Sequence, residues 1–502
     1  MLFPAGACRR KVRKQMKKNF FVLASLILVS VLLFSCVARN GSRDESASQE
    51  SVSDTDPYAD QVPSGLNYDG YEYIIAFPQP ADGAMDYQVF DDGNVISKID
   101  QAVYTRNRNI ENRFGIKISG FVKGFSDTQV TELIPLCASG SDEFSIGMLA
   151  FTFSGIPWIT SGYAEDWNKV RYVDTDRIYW SQSMSDNVSI KGHSFIIQGK
   201  INWTSAMSTQ VCFFNTNVAE DYGIENLYFD VDNGTWTFAK LKALAKGISE
   251  DLNNDSVYDE NDRYGIIQSF YGGAYNWSIA ADYTTVLSDS DGLTLNYDTV
   301  KFNNILEYCY DLLYNDHTAY VEKFDYPSES KGVRIFFDDR ALFMFTDLGH
   351  GDFFRGEQSD YGIIPTPKYD EQQKKYCTTN DQWGLSCIIS ATARDKDRIG
   401  AITEALCALS GKLVYPVYYE EVLSERNTRD EESKKMLDLI FSNIVYDVGI
   451  TLAYKDYYIP LYKLLDPKSP STNLSSWLGK YSTKIQTQFD DLFRYVDENY
   501  GG

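Results

Sequence analysis

From Tyr71 onward the chain alternates short apolar runs with stretches whose apolar residues recur at helical spacing, and this alternation constrains the fold more than any other feature. Strands are expected at Tyr71–Phe77, Ile116–Val122, Ser145–Phe153, Ser194–Gln198, Val211–Asn215, Tyr264–Ser269, Ala341–Phe345, Tyr361–Pro365 and Gly384–Ser390. Between them Ile99, Val103, Ile110 and Phe114 share a helical face, as do Ile305, Tyr308 and Leu312, and Ile399, Ile402, Leu406 and Leu409. Strands separated by helices are brought side by side through crossovers, so the expectation is α/β architecture with largely parallel sheets. No repeat with a period of roughly 20–50 residues is present, which argues against a solenoid or propeller. The C-terminal stretch reads mainly as helix, clearest at Lys434–Phe441 and Tyr481–Tyr495, with breaks at Pro460 and Pro467.

The opening of the chain follows different rules. Seven basic residues and no acid occupy the first eighteen positions, and an uncharged apolar run, Phe20–Phe34, leads into Leu33-Phe34-Ser35-Cys36. Positive charge followed by a short apolar run reads as an export signal. The tetrapeptide resembles a bacterial lipobox, in which a small residue precedes a Cys that is acylated and becomes the mature N-terminus. Residues 1–35 are therefore expected to act as a signal peptide and Cys36 to carry a lipid. The alternative is an uncleaved anchor, because the uncharged stretch Asn19–Ala38 is long enough to cross a bilayer. Both readings place the bulk of the chain outside the cell membrane. Residues 36–70 form the expected tether: residues 40–65 hold six Ser and six acids but no Leu, Ile, Phe or Trp, too little apolar surface to fold.

Without residues 1–35 the chain keeps 40 Lys plus Arg against 70 acids, a net charge of -30 that disfavours nucleic acid and anionic lipid as partners. The 36 Tyr, 29 Phe and 8 Trp exceed what a core requires and suit a protein with stacking surfaces. Six cysteines follow Cys36, at 137, 212, 309, 377, 387 and 407, without metal-ligand spacing; a Cys377–Cys387 bridge is the one pairing left open. His193, His317 and His350 are too far apart in sequence to suggest a His-based metal site.

One local motif stands out. Residues 251–262 place oxygen ligands at the spacing of a twelve-residue calcium loop, with Asp251, Asn253, Asp255 and Asp262 offering side chains, Val257 its carbonyl, and Asp259 a direct or water-mediated contact. Ser256 stands at the sixth position, where Gly is usual, and Asp262 at the twelfth, where Glu is usual. A helix precedes the loop, with Thr237 as its expected N-cap and Phe238, Leu241, Leu244 and Ile248 on one face, but a strand follows it. Without an exiting helix, a bound Ca²⁺ would staple a turn and not act as a switch.

From Phe213 to Asn226 the sequence reads FFNTNVAEDYGIEN, followed by the helix from Thr237, the oxygen-rich loop closing in Asp262-Arg263-Tyr264-Gly265, and later YGIIPTPKYDE at Tyr361–Glu371. In this order the segments resemble family 1 extracellular solute-binding lipoproteins of ABC importers, especially large sugar-binding members. The resemblance implies a type II periplasmic-binding-protein-like fold of two α/β lobes joined by crossing hinge strands, with ligand caught by hinge closure. It also implies permease partners and a monomeric receptor. The expected division is 71–205 plus 347–410 for the first lobe and 206–346 plus 411–502 for the second. The crossings are expected near Trp203–Ser208, Thr346–Asp347 and Ser410–Lys412.

A sugar presents apolar ring faces and a belt of hydroxyls, so its site needs aromatic platforms beside carboxylates and amides. Asn202-Trp203, Tyr275-Asn276-Trp277 and Asp381-Gln382-Trp383 pair the two kinds of residue, and Asp347 and Trp158 are further candidates. A glycan-active enzyme and a sensory or adhesive lipoprotein remain alternatives to an importer subunit. The nucleophile-elbow, P-loop and HExxH motifs are absent from the sequence.

Overall fold

The computed structural model describes residues 56–79, 95, 97–125, 128–140, 142–150, 155–269, 273–297, 299–322, 330–354, 359–380, 384–424, 431–453, 461 and 463–501. The expected signal peptide, Cys36 and residues 37–55 of the expected tether lie outside them; residues 56–70 do not continue the tether but pack on the first lobe, because Val62 is buried in its core and Arg113 holds Asp60. Two sheets organise the rest. The first holds β1 (Glu72–Gln79), β2 (Lys117–Phe125), β3 (Ile146–Ala150) and β11 (Leu385–Ile388) in the order β11-β3-β1-β2; β1 is parallel to β2 and β3, and β11 is antiparallel to β3. The second holds β4 (Gln210–Asn215), β5 (Tyr264–Ser269), β8 (Ala319–Glu322), β9 (Ala341–Asp347) and β10 (Tyr361–Ile364) in the order β10-β4-β9-β5-β8. Its β5 is parallel to β8 and β9, while β4 is antiparallel to β9 and β10. A hairpin, β6 (Val286–Ser288) with β7 (Leu293–Leu295), stands apart.

The inner strands of both sheets are covered on both faces, which explains why they are near-continuously apolar, whereas the edge strands β2 and β8 are partly exposed. In β1, Tyr73, Ile75 and Phe77 join one core while Ala76 joins another; in β4, Val211 and Phe213 divide from Cys212 and Phe214 in the same way. Helix α1 (Lys98–Phe114) covers one face of the first sheet with Ile110 and Phe114, opposite α2 (Gln129–Ala138), which covers the other with Val130 and Leu133. The start of α1 is fixed by a capping box between Ser97 and Asp100, and its end by Gly115 in the left-handed conformation at φ 62°. Beside it lies α6 (Lys396–Leu413), whose Ile402, Ala405 and Leu406 are fully buried. On the second sheet α3 (Phe238–Lys246) begins where expected, the Thr237 hydroxyl accepting from the Lys240 amide at 3.4 Å. The same core includes α4 (Gly273–Ala280) and α5 (Val300–Tyr314).

Three chain segments pass between the sheets. The first runs through residues 199–209, where the Asn202 amide donates to the Leu385 carbonyl at 2.6 Å and the Leu348 amide to Thr209 O at 2.8 Å. The second reaches β11 through Thr378–Asn380, with an antiparallel bridge between Asn380 and Thr209. The third is helical: α6 passes through Val414 into α7 (Tyr415–Ser424), with Val414 N donating to Ser410 O at 2.9 Å. The expected crossing at Thr346–Asp347 does not occur there. These residues pair with Val211 and Gln210, and β10 completes the same sheet, so Asp347 and Tyr361–Ile364 belong to the second lobe and not the first. The reason is that Ile363 and Ile364 are both fully buried, so β10 closes the β4 edge with a strand apolar on both faces. Ser194–Gln198 contributes a single bridge, Ile197 to Cys387, instead of a full strand. Cys377 and Cys387 are both free and buried, the former against Asp282 and the latter against Met148. Among the described residues no helix is long and apolar enough to cross a membrane.

Candidate functional site

In open α/β sheets ligands bind beyond the carboxyl ends of the strands. Here those ends face one junction: Ala150, the last residue of β3, pairs with Leu385, and Asp347, the last residue of β9, pairs with Gln210, next to the crossing segments. A polar cluster sits at this junction. The Gln210 side-chain amide donates to Asp347, while its oxygen accepts from Asn276 Nδ2 at 3.0 Å. The Tyr275 hydroxyl meets Thr379 Oγ1 at 3.0 Å, and the Thr379 carbonyl accepts from the Gln210 backbone at 2.9 Å. His350 bonds Thr346, and burial pushes its imidazole down to about 4, so it is neutral at physiological pH. Carboxylate, amide and hydroxyl groups thus converge on one place, a set suited to the hydroxyls of a polyol.

Of the residues expected to hold ligand, Tyr275 and Asp347 come together here. Trp203 and Trp277 do not act as open platforms. Trp277 is 3% exposed and wedged among Phe238, Tyr308 and Phe345, with ring centroids 5.0–5.9 Å away. Trp203 is 6% exposed and packs on Tyr418. Asn202 is fully buried and ties the first crossing to β11, and Trp158 is likewise core. Apolar burial claimed these rings: Trp158 and Trp277 lie on short helices packed into a core, and Trp203 caps another. Asp381 and Trp383 lie outside the described residues. Gln210 and Thr379 escaped sequence reasoning, since nothing local distinguishes them from ordinary strand-end residues.

A second concavity, of about 850 Å³, opens beside the crossing segments. Residues 179–183 and 198–200 line it from the first lobe, and Tyr415, Tyr419 and Tyr446, with α8 (Glu431–Ser442), from the second. The buried carboxylate Glu404 fixes two residues of the first-lobe wall, accepting from Tyr179 Oη at 2.5 Å and Trp180 Nε1 at 2.8 Å. Burial raises the Glu404 carboxyl to about 7, against the opposing pull of those two hydrogen bonds. The tyrosine-dense stretch 415–419 was the one sequence signal for this pocket.

The loop 251–262 is wound by its own side chains. The Asp251 carboxylate accepts from Asn254 N at 2.8 Å and Ser256 N at 2.9 Å, and the buried Asp262 accepts from Leu252 N and Asp259 N. Ser256 takes φ 63°, the left-handed turn that favours Gly at the sixth position. The donor set is all hard oxygen and the turn geometry is in place, which fits Ca²⁺. Among the described residues, however, no three acidic, His or Cys groups converge as a metal cage.

No protein-family model and no curated protein sequence matches the chain. Solved structures do. The galacto-N-biose-/lacto-N-biose I-binding protein of the ABC transporter from Bifidobacterium longum aligns with TM-score 0.53 at 14% identity, covering 87% of this chain and 99% of that one. The GacH receptor of Streptomyces glaucescens, solved unliganded and with acarbose, aligns with TM-score 0.52 at 11% identity, over 84% and 99%. An ABC substrate-binding protein from Listeria monocytogenes in complex with cycloalternan gives 0.50 at 12%, over 86% and 100%. At these identities the likeness is one of fold: the chain has the two-lobed, periplasmic-binding-protein-like α/β architecture.

Proposed function

We propose that this chain is the extracellular solute-binding subunit of an ABC importer, of the family 1 kind, and that it captures an oligosaccharide between its lobes without transforming it. The observation that carries the reading is the convergence of Gln210, Asn276, Asp347, Tyr275 and Thr379 where the carboxyl ends of both sheets meet the crossing segments. The fold is shared with the galacto-N-biose-/lacto-N-biose I-binding protein and with the ABC substrate-binding protein in complex with cycloalternan, which supports the same class of ligand. In this reading Cys36 carries the lipid that holds a monomer at the membrane face, the tether lets it reach solute, and permease subunits receive the closed form. Asp251, Asn253, Asp255, Asp259 and Asp262, with the Val257 carbonyl, would hold a structural Ca²⁺ that staples the turn.

A thermal-shift screen against neutral glycans tests the reading. Ligand at about a thousand times its Kd adds roughly 4 kcal/mol to stability. A stabilising glycan recovered intact, and a loss of that shift in Asp347→Asn, are the expected results. Release of shorter sugars during incubation, or no shift from any glycan, would sink it.

A further inference from the structure

The pocket of about 850 Å³ beside the crossing segments is separate from the sheet-end cluster. Thr379 and Asn380 are consecutive in an extended segment, so their side chains leave on opposite sides. Thr379 meets Tyr275 at the sheet ends, while Asn380 lines the pocket and accepts from Tyr446 Oη at 3.4 Å. The strand-end residues Ala150, Ser269 and Asp347 are absent from its lining.

Its chemistry is specific. Two glycines let aromatic rings lie flush on the crossings: a Cβ on Gly199 would stand 2.4 Å from Trp180, and one on Gly411 would stand 2.4 Å from Tyr58. Trp180 is itself buried, so the ring faces left to a ligand are those of the half-buried Tyr419 and Phe441, their centroids 6.3 Å apart. Lys200 and Lys434 are balanced by Glu420 and Asp438, so the lining favours neither an anion nor a cation. Gln182, Gln198 and Asn380 add amides that both donate and accept. Stacking faces, amides and no net charge describe a site for a neutral ring compound rich in hydroxyls, and the volume lies within the usual range for small-molecule pockets.

We propose that this hinge pocket is a second saccharide-binding site, distinct from the sheet-end cleft, with Tyr58 and Lys200 as its lip. Because its walls come from both lobes and from all three crossings, a sugar held there binds one hinge angle better than others. It therefore changes the affinity of the sheet-end site, and the effect is reciprocal. This coupling rests on the capture reading above; the existence of the pocket site does not.

The test titrates the full-length chain, purified in detergent, with maltotetraose and with lacto-N-biose, reading heat and tryptophan fluorescence. Wild type, Tyr419→Ala, Tyr58→Ala and Asp347→Asn are compared. Two classes of site are expected, one weakened about tenfold or more by either tyrosine change, and the other then shifted in affinity about fivefold or more. If Tyr419→Ala fails to fold, Tyr58→Ala, a change at the lip alone, gives the same reading. A single class of site lost in Asp347→Asn and indifferent to both tyrosine changes overturns the pocket and leaves the sheet-end cleft standing. Binding that depends on the tyrosines and ignores Asp347 keeps the pocket and removes the cleft. No binding of either sugar overturns the proposal.

Discussion

Replacing Glu404 by Gln should make the protein more stable at alkaline pH while leaving its acid stability nearly unchanged. Glu404 is fully buried on α6 and accepts from Tyr179 Oη, Trp180 Nε1 and the Asp174 amide. Burial lifts its carboxyl from the ordinary 4.5 to about 7. Below the lower value the group is protonated in both folded and unfolded chains and contributes no pH dependence. Between the two values the unfolded chain releases the proton that the folded chain keeps, so stability falls as pH rises. At about 1.4 kcal/mol per tenfold change, the full loss is about 3 kcal/mol, complete above pH about 7. Gln keeps the shape: its carbonyl can accept from Trp180 and Asp174, and its amide can donate to Tyr179, whose hydroxyl turns to accept. Urea melts at about pH 5 and about pH 8 measure the effect, and the variant should lack most of the wild-type decline. If wild type and variant decline in parallel, Glu404 is not the group being titrated and the argument fails.

Other perturbations address the fold and the loop. Trp277→Ala removes a ring closed in by three others and should cost about 3–5 kcal/mol in urea unfolding, whereas an open sugar platform would cost affinity and little stability. Gly265→Ala would put a Cβ 2.1 Å from the Ala245 backbone carbonyl, driving α3 off β5; a loss of at least about 1–3 kcal/mol in thermal melts is expected. Chelator should lower the melting temperature of wild type but not of Asp262→Asn if the loop binds Ca²⁺; equal melting with and without chelator would remove the metal from the account.

What could be read from sequence was what is decided locally. The α1 boundaries follow from Ser97, Asp100 and Gly115, and the start of α3 from Thr237, all within a few residues of the groups they satisfy. The Gly of the Asp262-Arg263-Tyr264-Gly265 motif has a physical cause only structure reveals, the close approach of α3 over β5. Trp277 looked like a platform because its burial depends on Phe238, Tyr308 and Phe345, none of them its neighbours in sequence. The second crossing was misplaced because β10 is apolar on both faces and could have belonged to either sheet by pattern alone. The hinge pocket gathers Tyr58, Trp180, Tyr419 and Tyr446 from four distant stretches, a juxtaposition that no spacing rule encodes.

The first described residues end where the lobes meet. Asp56 pairs with Lys412, Tyr58 lies on Gly411 with its hydroxyl near Lys200 Nζ, and Arg113 grips Asp60 through two hydrogen bonds at 2.7 and 2.8 Å. Asp56 therefore lies where the lobes join and not at the tip of either. A leash attached at such a point would have almost no lever arm, so tension along it would exert little torque on either lobe. In the capture reading proposed above, a pull on such a leash would not by itself open or shut the cleft between the lobes.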